Sequence, residues 1–104
     1  MVPRKIRSVV QKFKTALRKA GFPPIRMFIY GSYARGENRP DSDIDICLVS
    51  TFFKTSKEKY RKKAVLIAFE IDPRIQVVLA KPKDIRSKGL SPLFSSIYSE
   101  SIAA

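Results

Sequence analysis

A chain of 104 residues has room for one hydrophobic core but not for two, and its 44% apolar and 29% charged residues are those of a globular domain. Twenty-one basic against nine acidic side chains give a formal charge of +12, which selects for anionic partners: phosphates, nucleic acid or an acidic protein surface. One cysteine, Cys47, excludes an internal disulfide, and the lack of histidine excludes the usual zinc sets, so any metal is held by oxygen, which favours Mg²⁺ or Mn²⁺.

Ile6, Val9, Val10, Phe13, Leu17 and Ala20 recur at helical spacing among lysines and arginines, predicting an amphipathic first helix. Because the basic start, Met1 to Arg7, leads into this pattern and not into an apolar run, the expectation is a cytoplasmic protein without a membrane segment. Gly21 and Phe22-Pro23-Pro24 stop the helix, and Ile25 to Tyr30 suits a strand. Ser32 is placed to cap a short helical turn through Tyr33, Ala34 and Arg35, broken by Gly36 to Pro40. Ile44, Ile46 and Leu48 alternate with Asp43, Asp45, Cys47 and Val49, a second strand with two differing faces. Cys47, surrounded by aliphatic residues, reads as a small buried side chain.

From about Ser56 to Glu70 a second long helix is expected, with Tyr60, Ala64, Ile67, Ala68 and Ile71 inward and its lysines outward. Asp72-Pro73 turns the chain into a third strand over Ile75, Val77 and Leu79, ended by Pro82. Ser91-Pro92 has the pattern of a helix start, with Leu93, Phe94 and Ile97 able to dock on the core. The expected architecture is one domain spanning 1–104, of the α+β class, a small mixed β-sheet with helices packed on one side.

Three of the nine acids, Asp41, Asp43 and Asp45, fall within five residues of an otherwise basic chain, a crowding that repels itself unless a cation is present. On an extended strand Asp43 and Asp45 project from the same face, about 7 Å apart at their backbones, so their carboxylates can converge on one or two cations. Gly31 permits close backbone approach, and Ser32 with the amides of a helix start offers donors to phosphate oxygens. The acids do not make a calcium loop, which needs glycine and glutamate where this chain has Ile46 and Phe52. The glycines fit neither a Walker loop nor a dinucleotide fingerprint. The plain alternative is a set of solvated turn aspartates leading into an edge strand.

Gly31-Ser32, ten intervening residues and then Asp43-Ile44-Asp45, with Arg35-Gly36 and Ser42 between, resemble the signature of the minimal nucleotidyltransferases of the DNA polymerase beta superfamily. The resemblance in element order extends from about Ile6 to Tyr98. It implies that Gly31 and Ser32 hold the outer phosphates of a nucleoside triphosphate, ATP by preference. It also implies that Asp43 and Asp45 are catalytic and hold Mg²⁺ (or Mn²⁺), while a hydroxyl, on a partner protein for example, displaces pyrophosphate. Arg35 either contacts phosphate or pairs with an acidic neighbour, and Ser42 either binds nucleotide or shapes the turn.

The chain departs from the family pattern at Gln76, which aligns with a third carboxylate carried by active members on a later strand. Glutamine can lend a metal a carbonyl oxygen but cannot act as a base. Asp72, Asp84 and Glu70 are candidate substitutes, with structural roles favoured for Asp72 and Asp84. Two functions follow: a nucleotidyltransferase, or a catalytically weak antitoxin or binding module. The resemblance further implies a toxin–antitoxin pair with a small all-helical, nuclease-like partner of the higher eukaryote and prokaryote nucleotide-binding group. Phe52, Phe53, Lys54, Lys57, Lys59, Tyr60, Arg61, Lys62 and Lys63 raise direct nucleic-acid binding, which is not favoured because lysines on an amphipathic helix are usually its solvated face.

Overall fold

A computed structural model describes residues 2–54, 57–86 and 102–104. In chain order the elements are α1 (Arg4–Lys19), β1 (Arg26–Tyr30), α2 (Ser32–Arg35), β2 (Ile44–Val49), a 3₁₀ turn at Thr51–Lys54, α3 (Lys57–Ile71), β3 (Ile75–Ala80), α4 (Pro82–Arg86) and β4 (Ile102–Ala103). The helix expected at Ser91-Pro92, with Leu93, Phe94 and Ile97, lies outside the described residues.

Helix α1 ends as its sequence dictates. Gly21 adopts φ 84°, its N–H donates to the Arg18 carbonyl, and the Phe22 N–H donates to the Leu17 carbonyl, a paired closure that consumes two of the helix's terminal acceptors. Phe22 is thereby turned inward, and its ring lies 5.4 Å from that of Tyr60, which in turn lies 5.6 Å from Phe53. This aromatic chain joins the end of α1 to the start of α3.

The strands form one mixed sheet in the order β3-β2-β1-β4. β1 and β2 are antiparallel, with Tyr30 opposite Asp45, while β2 and β3 are parallel, with Asp45 opposite Gln76. The parallel pair requires a crossover, which α3 supplies. The short β4 runs antiparallel to β1, and the Ala104 N–H donates to the Met27 carbonyl at 2.9 Å.

Strand alternation sorts the two faces. Met27, Ile29, Ile44, Ile46, Leu48, Ile75 and Leu79 pack with Ile6, Val10, Phe13 and Leu17 of α1 and with Ala64 and Ala68 of α3. The helices therefore cover one side of the sheet, as expected of this α+β class. On the other face Tyr30, Cys47, Val49 and Ala80 form a smaller cluster with Phe28 and Val78. Cys47 is fully buried there, and burial pushes its thiol up to about 12, so it stays protonated and inert at neutral pH.

Helix α3 departs from simple amphipathicity. Its inward stripe is the expected one, yet Val65, Leu66 and Phe69 are exposed on the far side. Ile46→Ala, on the central strand, is expected to cost about 3 kcal/mol of stability by urea unfolding. Leu66→Ala, at an exposed position, should cost no more than about 0.5 kcal/mol in the same assay.

Candidate functional site

The acidic pair lies at the β1–β2 end of the sheet, on the face that the long helices leave uncovered. Side chains of a strand alternate, so placing Ile44, Ile46 and Leu48 in the core puts Asp45 on the opposite face, with Asp43 two residues before it. Asp43 is exposed and Asp45 half-buried. Register then sets a row across three strands, Tyr30 on β1, Asp45 on β2 and Gln76 on β3.

Gly31 is the hinge of the site. It stands before α2 with φ 74° and ψ −151°, a left-handed conformation that L side chains rarely adopt. A Cβ built there would overlap the Asp45 carboxylate, with the carboxyl carbon only 3.1 Å away. Backbone and carboxylate are thus in direct apposition, and only glycine fits. The expectation that Ser32 caps α2 is corrected: Gly31 occupies the capping position, no side chain caps the turn, and Ser32 is its first residue. A capping serine would need an extended backbone one position earlier, which the left-handed Gly31 has taken. Gly36, also left-handed, closes the turn, and the Glu37 N–H donates to the Ser32 carbonyl at 2.9 Å.

The electrostatics fit two carboxylates held close together. Burial raises the Asp45 carboxyl above the usual carboxylate range, the Asp43 charge raises it further, and Arg35 partly offsets both. Beside it Tyr30 is 7% exposed, and burial first, then the charge of Asp45, push its phenol up to about 12. Tyr30 was not singled out from the sequence; the strand alternation that places Asp45 opposite it was the available signal.

The remaining candidates occupy defined places. Arg35 Nε donates to Glu37 Oε1 at 2.6 Å, so it pairs with an acidic neighbour while its charge still reaches Asp45. Ser42 Oγ accepts the Arg39 N–H at 2.7 Å, and the Ser42 N–H donates to the Arg39 carbonyl at 3.0 Å, which ties the loop before Asp43 into a turn. Gln76 is exposed and stands next to Asp45 in the register of β2 with β3.

The candidate substitutes for a third carboxylate are engaged elsewhere. Asp72 accepts from Arg74 Nε at 3.1 Å and from Nη2 at 2.7 Å, and Asp84 Oδ2 accepts the Lys81 N–H at 3.0 Å. Glu70 lies on α3 on the other side of the sheet. Among the described residues, no three of His, Cys, Asp and Glu group as a metal cluster. Arg74 was likewise not read from the sequence. Its Nη1 donates to the Pro40 carbonyl at 3.4 Å and its own carbonyl accepts the Ile44 N–H at 2.9 Å, so the Asp72–Arg74 pair anchors the loop that carries Asp43.

A family profile for the nucleotidyltransferase domain matches residues 10–100. The chain belongs to this family. The nucleotidyltransferase domain shares its fold with a crystal structure of a toxin–antitoxin with AMP-PNP, at a TM-score of 0.62 and 21% identity, over 89% of this chain and 69% of that one. It is also similar to a protein from Sulfolobus solfataricus assigned as a nucleotidyltransferase, at a TM-score of 0.57 and 18% identity, over 94% of this chain and 83% of that one. No curated protein sequence matches the chain significantly. Among the described residues no helix is long and apolar enough to cross a membrane.

The Asp72–Arg74 anchor yields a pH signature. Hydrogen bonds and the charge of Arg74 hold the Asp72 carboxyl below its usual value, so the folded state favours the ionised form. That stability is fully present above the ordinary carboxylate pKa and is lost as pH falls through the lowered one. Asp72→Asn should therefore cost about 1 kcal/mol at neutral pH, a value discounted for the partly exposed arginine. In a pH series of urea unfolding curves the gap between wild type and variant should close as the medium is acidified through the carboxylate range.

Proposed function

We propose that this nucleotidyltransferase domain binds a nucleoside triphosphate, ATP by preference, and transfers its nucleotidyl group to a hydroxyl on a partner protein. The observation that carries the reading is the apposition of Gly31 with the Asp45 carboxylate, which brings a side-chain-free backbone turn against a crowded acidic pair. In this reading Gly31 and Ser32 hold the outer phosphates, Arg35 supplies positive charge beside them, and Ser42 sets the loop through which Asp43 enters the site.

The donor set fits a hard divalent cation, because Mg²⁺ commonly sits on one or two carboxylates and completes its shell with phosphate oxygens and water. Asp43 and Asp45 would hold it, with the amide oxygen of Gln76 as a neutral third donor. Bound there, Mg²⁺ or Mn²⁺ would supply charge neutralisation to the phosphates. In the transfer itself the acceptor oxygen bonds to the α-phosphorus, the bond to the bridging oxygen breaks, and pyrophosphate departs. Gln76 cannot take the proton of the attacking hydroxyl, so that proton leaves through water or the departing phosphates.

The position of Gln76 favours a second reading, a domain that binds nucleotide and partner but transfers slowly, acting as an antitoxin by contact. The similarity to a toxin–antitoxin structure supports a protein partner for either reading, and a small all-helical partner and a cytoplasmic setting belong to the same proposal.

Titration calorimetry with ATP, GTP, CTP and UTP in Mg²⁺ is expected to give binding that Asp43→Ala plus Asp45→Ala abolishes; undiminished binding in that double variant would remove the site from consideration. With a labelled triphosphate, Gln76→Glu is expected to raise nucleotidyl transfer about tenfold or more, since positioned acid–base groups contribute at least that much. A wild type that already transfers efficiently would eliminate the antitoxin reading.

A further inference from the structure

The outer side of α3 has no role in the site. Its inward stripe already packs on the sheet and on α1, so an ordinary surface helix would be polar on the remaining side. Here Leu66 and Phe69 are each 68% exposed and Val65 41%. Spaced at i, i+1 and i+4, they share the side of the helix that continues from Lys62 one turn earlier.

The frame around this stripe is basic. On α3 it consists of Lys59, Arg61, Lys62 and Lys63, against Glu58 and Glu70, with Arg61 Nε donating to Glu58 and Lys63 Nζ to the Ala20 carbonyl. A stripe of aliphatic and aromatic side chains in a cationic frame complements an apolar stripe in an anionic frame.

We infer that the outer face of α3 is a docking surface for an acidic amphipathic helix of a partner protein, whose apolar side chains cover Leu66 and Phe69 while its carboxylates meet the lysines. Charge decides against the other occupants. A second copy would bring two chains of +12 together through their basic faces. Nucleic acid would satisfy the lysines but leave Val65 and Leu66 against phosphate, and with Phe53 and Tyr60 committed to the core only Phe69, with Phe52 on the preceding turn, is left exposed to stack on a base. A membrane surface takes a broad apolar face, and the broad apolar face of α3 is already used inside the protein.

The surface is separate from the acidic pair, so its test does not depend on the proposed activity. The probe is a labelled synthetic helix with leucines at i, i+3, i+4 and i+7 and glutamates elsewhere, followed by fluorescence anisotropy against the intact chain. A lysine-for-glutamate analogue, a single-stranded RNA oligonucleotide and phosphatidylglycerol vesicles are run in parallel. The acidic helix is expected to bind, to weaken as salt is raised, and to lose about tenfold or more in affinity with Leu66→Gln plus Phe69→Gln, as central apolar anchors do. Asp43→Ala plus Asp45→Ala should leave this binding intact, and the Leu66 and Phe69 variant should melt within a few degrees of wild type. The inference is overturned if the acidic helix fails to bind, if its lysine analogue binds equally, or if the double substitution leaves its affinity unchanged. It is also overturned if RNA or vesicles bind more tightly through these two residues, if sedimentation reveals a dimer that the substitution dissolves, or if the substitution lowers the melting temperature strongly, which would mean the chain covers the stripe itself.

Discussion

The close approach of the Gly31 backbone to the Asp45 carboxylate sets the geometry of everything around it. Two strands must end and begin at matching heights for the contact to occur, and the antiparallel register of β1 with β2 provides this by pairing Tyr30 with Asp45. No side chain larger than hydrogen fits at position 31, and none would adopt its backbone angles without strain. The turn is therefore fixed by exclusion as much as by attraction, and α2 starts where that exclusion leaves it.

Two opposed charge patterns meet in this domain. The chain as a whole is strongly basic, while Asp43 and Asp45 concentrate negative charge at one end of the sheet, with Arg35 alongside. Long-range attraction thus draws an anion toward the molecule, and the local carboxylates resist it until a cation intervenes. For an incoming anion the chain thus combines attraction at long range with repulsion at short range.

Much of this was legible in the sequence because the determinants are local. Periodicity located α1, β1, β2, α3 and β3, and the spacing of Gly31, Ser32, Asp43 and Asp45 singled out the end of the sheet where a glycine turn meets an acidic pair. Gln76 stands opposite Asp45 in the register, since parallel pairing carries a strand's alternation across to its neighbour. What escaped depended on tertiary contacts. The capping role passed from Ser32 to Gly31 because the turn is dictated by Asp45, a residue fourteen positions away. Arg74 ties down the Pro40 carbonyl across the β2–β3 crossover, and Phe53 is inward because Tyr60 and Phe22 stack against it. The apolar outer side of α3 was hidden by lysines that a helical pattern assigns to solvent, whereas Leu66 and Phe69 stand among them.

The register that places Gln76 beside Asp45 is locked from behind, because Ile75, Val77 and Leu79 are held in the helical face of the sheet. A slip of even one residue would drive these aliphatics into water. Glutamine and glutamate are nearly the same shape, and their codons differ by a single base. The scaffold therefore accepts either side chain at this position at no conformational expense, so that an amide and a carboxylate beside Asp45 are a single mutational step apart.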